Sequence, residues 1–180
     1  MNRGYHEIKE HGKREFPFNI YPCSIPVDFS HVALHWHEEM EIIAVKKGKG
    51  RITVDTVSYP VEEGDILAVF PGQLHAISCG NGERMEYENI IFRLSMLMGD
   101  NGDGCTVHFL KPLQEGQAKN PVLIQRNQPD HEVFGKVIQE LDRFSEIRGN
   151  GYQLAVKGQL FLFLYYAYGR GILFTEKKPG

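Results

Sequence analysis

The sequence has no apolar run of the roughly 18 residues that a membrane-spanning helix needs, although 42% of its 180 residues are hydrophobic. It also lacks an excess of positive charge, because its formal net charge at pH 7 is −3. Proteins that bind nucleic acids directly neutralise phosphates with such an excess. We therefore expect these residues neither to associate with a membrane nor to contact DNA themselves.

Cysteine is scarce, and its pattern excludes a disulfide framework. The three cysteines, Cys23, Cys79 and Cys105, are odd in number, lie far apart and form no CxxC pair. The first 15 residues are polar and mixed in charge, without the apolar stretch of a signal peptide. These observations predict reduced thiols in a cytoplasmic protein.

Short runs of β-branched and aromatic residues recur between residues 17 and 95, and they predict β-strands. Glycine-containing segments separate them at 47–50, 62–65 and 79–82 and are typical of hairpin turns. Several short strands at this spacing favour a barrel or a sandwich. The predicted strands are 40–47, 51–59, 65–70, 75–78 and 87–94.

The last third of the chain changes to a helical period. Residues 98–129 are irregular, with a possible strand at 105–110, and Asp130 then resembles the N-cap of an amphipathic helix. A second helix is predicted over 152–168, where positions 160–168 are all apolar or aromatic. A helix that is apolar all round must be covered on several sides, which predicts a homodimer. The predicted interface residues are Leu160, Phe161, Leu164, Tyr165 and Tyr168.

One cluster of residues has the composition of a metal site. On a strand, His35, His37 and Glu41 share parity, so their side chains would point to one face. His75 from a neighbouring strand would complete a set of three histidines and one carboxylate, which suits zinc, iron, manganese or nickel. Each histidine alone would more often be an ordinary hydrogen-bonded residue, and only the combined spacing favours a site.

The spacing of these residues resembles the cupin family. The first cupin motif, HxH-x3-E-x6-G, fits His35, His37, Glu41 and Gly48. Fifteen residues separate Gly48 from Gly64, where the second motif begins, and that motif contains Gly72 and His75. Three positions depart from the pattern without touching the four ligand-type residues. These are Phe29 in place of glycine, Phe70 in place of proline and Cys79 in place of asparagine.

A narrower resemblance covers nearly the whole chain. The segments 34–75, 88–94 and 109–113 and the two predicted helices are similar to the N-terminal sensor domain of AraC-type transcription regulators. The resemblance implies a mainly β fold, with a cupin barrel that binds a small effector and two C-terminal helices that form the dimer. It implies DNA binding only through a separate C-terminal helix-turn-helix domain. The predicted divisions are an N-terminal arm (1–14), the barrel with the irregular segment (15–128), the helical dimerisation segment (129–170) and a tail or linker start (171–180).

Two functions follow from these patterns and stay open at this point. The first is an effector-sensing and dimerisation domain, without catalysis, in which His35, His37, Glu41, His75 and Glu39 contact the small molecule. The second is a stand-alone, metal-dependent cupin enzyme, a dioxygenase or a sugar isomerase. The first function is compatible with one divalent transition metal or with none, since the four ligand-type side chains also serve as hydrogen-bonding groups, whereas the second requires the metal.

Overall fold

Eight antiparallel strands and two long C-terminal helices form the architecture. The structure, a computed structural model, describes residues 3–9 and 11–172. The mainly β barrel followed by two helices is the fold class that the sequence predicts. The strands are β1 (Phe18–Ile25), β2 (Val32–His35), β3 (Met40–Val54), β4 (Val57–Glu62), β5 (Ile66–Val69), β6 (His75–Ser78), β7 (Met85–Phe92) and β8 (Val122–Ile124).

The long strand β3 corrects the hairpin predicted at 47–50. Its first part pairs with β5 and β7 and its second part with β4 and β6, so one strand belongs to both sides of the barrel. Gly48 has a φ of +77°, and a Cβ there would lie 2.0 Å from the Arg84 carbonyl oxygen. The glycine therefore permits a close approach between strands beside a register shift, and the chain turns later, at residues 55–56.

The strand predicted at 105–110 is also wrong, because this segment is helical. A π-helical turn, Thr106–Leu110, continues directly into the short helix α1, Lys111–Gln114. The Asp103 carboxylate accepts hydrogen bonds from the backbone N–H and the side-chain hydroxyl of Thr106, both at 2.7 Å. This carboxylate supplies a partner for an N–H group at the start of the helical segment, which favours a helix over an extended chain.

The two predicted long helices are present. They are α2 (His131–Ile147) and α3 (Tyr152–Gly169). Asp130 occupies the N-cap position of α2, but its side chain makes no capping bond. Its carboxylate instead accepts two hydrogen bonds from Arg170 Nη1, at 2.6 and 2.8 Å, and Arg170 also donates to the Leu123 carbonyl of β8. These contacts tie the end of α3 to the start of α2 and to the edge of the sheet.

The buried apolar residues divide into two clusters. The inner cluster lies within the barrel and contains no residue of α2 or α3, whereas the outer cluster joins the other face of the sheet to both helices. The inner cluster is Ile25, Ile43, Val45, Ile52, Val54, Val61, Leu67, Val69, Ile77, Met85 and Tyr87. The outer cluster includes Met40, Ile42, Ala44, Ala68, Ile90, Phe92, Phe134, Val137, Ile138, Leu141, Val156, Leu160, Phe163 and Leu164.

Helix α3 is covered on one side only within the described part of the chain. Leu160 and Leu164 of the predicted dimer interface are buried against the outer cluster, and the Tyr168 hydroxyl donates to the Phe109 carbonyl at 2.6 Å. Phe161 and Tyr165 are 39% and 72% exposed, so these two leave the largest free surface of the predicted set. In the same described residues, no helix has both the length and the apolar character needed to cross a membrane.

Candidate functional site

The four ligand-type residues converge, although not through strand parity alone. His35 ends β2, Glu41 lies at the start of β3 and His75 begins β6, whereas His37 lies outside any strand, just before a bend at residues 38–39. One nitrogen or oxygen atom from each of the four lies within 4.8 Å of the others. The prediction that one strand carries positions 35, 37 and 41 is wrong, because His37 lies outside the strands. The bend after His37 nevertheless brings its side chain next to that of Glu41.

All three imidazoles are oriented by backbone carbonyl groups. The Nδ1 atoms of His35, His37 and His75 lie 2.9, 3.1 and 2.9 Å from the carbonyl oxygens of Ala33, Glu39 and Gln73, respectively. A carbonyl oxygen accepts, so each Nδ1 must donate, and in the neutral ring Nε2 keeps the free lone pair. The three Nε2 atoms are thus directed as ligand nitrogens, in the arrangement that metal-binding histidines use.

Glu41 lies at the centre of the cluster and is almost completely buried. Its Oε2 atom is 2.8 Å from His37 Nε2 and 2.9 Å from His75 Nε2. Burial alone would raise the pKa of the Glu41 carboxyl, but the two imidazoles outweigh that effect and hold it well below its usual value. The site therefore keeps a buried carboxylate ionised, and this charge requires a cation or protons beside it.

The imidazoles divide into two electrostatic environments. Burial would lower the pKa of His37, but the hydrogen bond to Glu41 and the negative charges of Glu41 and Glu39 together outweigh it and raise that pKa. Burial lowers the pKa of His35, and the nearby His75 lowers it further. A proton between His37 and Glu41 occupies the position where a divalent cation would bind both groups, so the donor set fits a metal chemically.

Glu39, predicted to contact an effector, already has a partner. Its side chain is 4% exposed, and its Oε1 accepts a hydrogen bond from Arg93 Nε at 2.8 Å. Arg93 directly follows β7, and its guanidinium turns to this buried carboxylate. An effector contact of Glu39 stays a prediction, while its pairing with Arg93 is a structural feature of the site.

A cavity of about 520 Å³ opens beside the cluster. His35 and Glu41 line it directly, whereas His37, His75 and Glu39 do not. Its wall also contains Tyr87, the pKa of whose hydroxyl is raised by burial, and Cys23, the pKa of whose thiol is likewise raised by burial. The other lining residues are Glu7, Lys9, His11, Tyr21, Pro22, Asp28, Phe29, His31, Val32, Asn89 and Ile91.

Three buried polar atoms of this wall lack a hydrogen-bond partner among the described residues. They are His11 Nε2, the Tyr87 hydroxyl and Asn89 Oδ1. Burial lowers the pKa of His11, so its ring is neutral near pH 7, and its Nδ1 lies 3.1 Å from the Tyr21 hydroxyl. Unpaired buried polar atoms cost free energy, so a small polar molecule in the cavity has groups available to pair.

Several residues at this site belong to no recognisable sequence pattern. Glu7, His11 and Arg93 reach it from segments far along the chain, and none belongs to a motif with fixed spacing. Trp36 stacks on His6 of the N-terminal segment with ring centroids 4.2 Å apart. Alternating or helical periodicity carries no information on such long-range contacts, so no local signal identifies these residues.

Comparison with protein families gives one extended match. The model of the family described as AraC-like ligand binding domain matches residues 26–164. The uncharacterised HTH-type transcriptional regulator YdeC of Bacillus subtilis (strain 168) is 27% identical over 88 residues, or 48% of this chain and 30% of the relative. The matched region thus spans less than a third of that curated relative.

Solved structures with partial similarity include several cupin proteins. A Cupin 2 conserved barrel domain protein from Salinispora arenicola CNS-205 has 23% identity and a TM-score of 0.40, covering 44% of this chain and 66% of that one. A cupin protein from Bacteroides fragilis has 25% identity and a TM-score of 0.35, covering 48% and 70%. The Bacillus subtilis oxalate decarboxylase, a protein with Mn(II) centres, has 25% identity and a TM-score of 0.32, covering 35% and 18%.

Proposed function

The chain belongs to the AraC-like ligand binding domain family, as its sequence patterns predict, and from this membership we propose that it is the effector-sensing and dimerisation domain of a transcription regulator. DNA would be contacted through a separate C-terminal helix-turn-helix domain, in the cytoplasm. The observation that carries the proposal is the family match over residues 26–164. The net charge of −3 supports the assignment of DNA contact to another domain.

The effector would bind in the cavity beside the histidine and glutamate cluster. The cavity has room for a small molecule, and His11 Nε2 and Asn89 Oδ1 offer it unused hydrogen-bonding capacity. His35 and Glu41 connect the cavity wall to the buried cluster, so a ligand there would contact the polar centre of the barrel. Binding would act on DNA only if the two arrangements of the dimer have different affinity for the effector.

A thermal-shift screen of small polar molecules tests the effector site. We expect a true effector to raise the melting temperature by an amount that grows with its concentration. The effect should disappear in Asn89→Leu, which removes a polar atom from the cavity wall, and persist in Glu38→Gln, which lies at the exposed bend. A hit that stabilised Asn89→Leu as strongly as the wild type would bind elsewhere.

We propose further that His35, His37, Glu41 and His75 hold one divalent transition metal, namely zinc, nickel, iron or manganese. The support is the common direction of the three Nε2 atoms and the buried Glu41 carboxylate between two of them. A bound ion would supply a Lewis acid that polarises an oxygen or nitrogen atom of the effector. The chain itself orients the imidazoles through three carbonyl groups and keeps Glu41 ionised.

Metal analysis of the purified chain tests this site. We expect about one equivalent of metal in the wild type and in Glu38→Gln, and background levels in His75→Ala, because His75 is a buried member of the cluster. His75→Ala removes a buried ring and can destabilise the fold, so Glu41→Gln, which keeps the shape of the side chain, provides a second test. Full metal content in both variants would exclude this set of ligands.

Dimerisation would use the uncovered side of α3. Leu154, Phe161 and Tyr165 are 77%, 39% and 72% exposed and follow a heptad spacing, with Gly158 between them. Residues at this spacing form one stripe along a helix. Leu160 and Leu164 then support the interface from within the chain, since they are already buried.

The oligomeric state at micromolar concentration tests the interface. We expect the wild type to sediment as a dimer and the double variant Phe161→Ser/Tyr165→Ser as a folded monomer. Val57→Ser is a matched control, because Val57 is 51% exposed but lies on β4, away from both long helices. A dimer that survived the double variant would need a different interface.

A metal-dependent cupin enzyme, a dioxygenase or sugar isomerase, is the second candidate. The observation that favours it is the complete cluster of three histidines and one glutamate beside a cavity, which is compatible with a catalytic ion that keeps an exchangeable position. The family match favours the regulator. Substrate-dependent oxygen consumption or sugar isomerisation by the metal-loaded chain, lost in His75→Ala, would establish the enzyme instead.

A further inference from the structure

A short part of the N-terminal arm lies against the residue between two of the cluster histidines. We name residues Tyr5 to Glu7 the arm strand. The backbone N–H of Trp36 donates to the Tyr5 carbonyl at 2.9 Å, and the N–H of Glu7 donates to the Trp36 carbonyl at 3.0 Å. The His6 and Trp36 rings stack with an interplanar angle of 18°. The arm strand is thus fixed in register with His35 and His37.

This register places the Glu7 carboxylate beside His35, at the edge of the four-residue cluster. Glu7 Oε2 lies 3.6 Å from Nε2 of His35, which is beyond a hydrogen bond of good geometry. His35 Nδ1 contacts the Ala33 carbonyl and is the donor there, so Nε2 of the neutral ring is an acceptor, as the carboxylate oxygen is. Two acceptors facing each other make no favourable contact unless a cation lies between them.

The distance fits two ligands of one ion. Nitrogen and oxygen ligands of zinc lie about 2.1 Å from the metal, so two of them can be up to about 4.2 Å apart. The 3.6 Å between Glu7 and His35 falls within this limit. The Glu7 side chain is also one-third exposed, so its carboxylate has room to move towards an ion while the backbone of the arm strand keeps its register.

We propose that Glu7 is an arm-borne ligand of the divalent cation held by His35, His37, Glu41 and His75, so that metal binding fastens the arm strand to Trp36. This inference rests on the metal site proposed above. Because Glu7 and Lys9 line the cavity, fastening the arm strand also fixes one wall of the effector site. The fold thereby links metal occupancy to access to the cavity.

The chain contains a built-in reporter for this contact. Trp36 is its single tryptophan, and its ring is the one that stacks on His6. Zinc is a suitable probe because its filled d shell has no redox chemistry. Titration of the metal-stripped chain with zinc should change the Trp36 fluorescence until one equivalent is bound, and proteolysis after Lys9 should become slower.

Glu7→Gln is the decisive variant, and Glu15→Gln is its matched control. Both remove one negative charge from the N-terminal region, but Glu15 is exposed and lies outside the arm strand. We expect Glu7→Gln to bind zinc at least about tenfold more weakly than the wild type and to lose both the fluorescence change and the protection of Lys9. Glu15→Gln should behave as the wild type in all three measurements.

Two negative results have different meanings. If Glu7→Gln matches the wild type in zinc affinity and in the fluorescence change, while His75→Ala loses zinc, then the arm ligand is refuted and the four-residue site remains. If the wild type itself binds no zinc, nickel, iron or manganese, both the metal site and its arm ligand are refuted.

Discussion

The inner and outer clusters are built from alternate residues of the same strands. The inner cluster lies around the candidate site within the barrel, whereas the outer cluster packs against the two long helices. On β3, Ile43 and Val45 belong to the inner cluster, whereas Met40, Ile42 and Ala44 belong to the outer one. The inner face also carries Glu41, so apolar residues surround a buried ion-pair network there. The outer face packs against other apolar side chains and the two long helices, with the ion pairs of Lys46 at its contact with α2. One face of the sheet thus carries the charged side chains of the candidate site, and the other face packs against α2 and α3.

The difference shows how this fold can connect sensing with dimerisation. No residue of α2 or α3 belongs to the inner cluster, so the helices contact the site only through the strands. A change at Glu41 must pass through β3 to reach the outer cluster. Variants on the two faces should therefore have separable effects on stability and on metal binding, and each prediction below tests that separation.

The largest effect is expected from Phe134→Ala in the outer cluster. Phe134 is completely buried and packs edge-on against Phe163 of α3, with centroids 5.2 Å apart. Loss of the ring should lower the free energy of unfolding by about 3–5 kcal/mol in urea denaturation. Zinc affinity should stay within about twofold, and Phe134→Leu provides a milder variant if the alanine chain does not fold. A large loss of affinity in the milder variant would show that the two faces are not separable.

A smaller effect is expected from Arg93→Leu at the edge of the site. The Arg93 side chain is about half exposed, but its partner Glu39 is buried, so the variant leaves a buried carboxylate without this donor. We expect the free energy of unfolding to fall by about 1–3 kcal/mol. The double variant Arg93→Leu/Glu39→Gln should recover part of this loss, because it removes the unpaired charge. If the double variant lost more free energy of unfolding than the two single variants lose together, the pairing of Arg93 with Glu39 would be contradicted.

Ile77→Val should have a modest effect on both properties. Ile77 lies two residues after His75 on β6, faces the same interior and is 1% exposed. The missing methylene should lower the free energy of unfolding by about 0.5–1.5 kcal/mol. Because the same strand positions His75, zinc affinity should fall as well, unlike in Phe134→Leu. Unchanged affinity in a measurably destabilised Ile77→Val chain would argue that the site does not depend on inner packing.

A further effect concerns pH and the contact between the barrel and α2. Lys46 Nζ lies 2.5 Å from Glu88 Oε2 and 3.1 Å from Asp142 Oδ2, so two carboxylates share one ammonium group. Burial, with Glu88 as a further cause, raises the pKa of Asp142 to about 6 from 3.8. The folded state therefore binds this proton more tightly, and its stabilisation is complete below pH 3.8 and lost as the pH rises through 6.

Asp142→Asn tests this dependence. The stability of the wild type relative to Asp142→Asn should decrease between about pH 4 and 6 in thermal melts. Glu132→Gln on the same helix is the control, because the hydrogen bond to Lys136 lowers the pKa of the exposed Glu132. Its contribution has the opposite sign, because a lowered pKa stabilises the fold at higher pH. The stability of the wild type relative to Glu132→Gln should therefore not fall between about pH 4 and 6. A relative stability of Asp142→Asn that is flat with pH would refute the raised pKa of Asp142.

Much of the site was predictable because its residues have fixed spacing in the sequence. His35, His37, Glu41 and His75 were identified from spacing and come together in the structure. Strand β6 and the start of α2 were also predicted correctly, since turn residues or an N-cap residue mark their ends. These signals are local, so they can be interpreted without knowing which strands are neighbours in the fold.

The wrong predictions have a common physical origin. Gly48 has the backbone freedom of a turn residue, but the structure uses it for the close approach of Arg84 within a continuous strand. The apolar residues of 105–110 suit a strand, but the Asp103 carboxylate favours a helical start. In both cases a contact with another residue decided between two conformations that the local sequence allows.

The sequence by itself determined the family, the mainly β architecture with two terminal helices and the identity of the four clustered residues, because periodicity and motif spacing are properties of the chain. Only the tertiary structure decided which groups surround that cluster. Arg93 pairs with Glu39 across 54 residues and Glu7 approaches His35 from the arm. Such contacts depend on the register between distant strands, which hydrogen bonding and burial fix together and which no local pattern encodes.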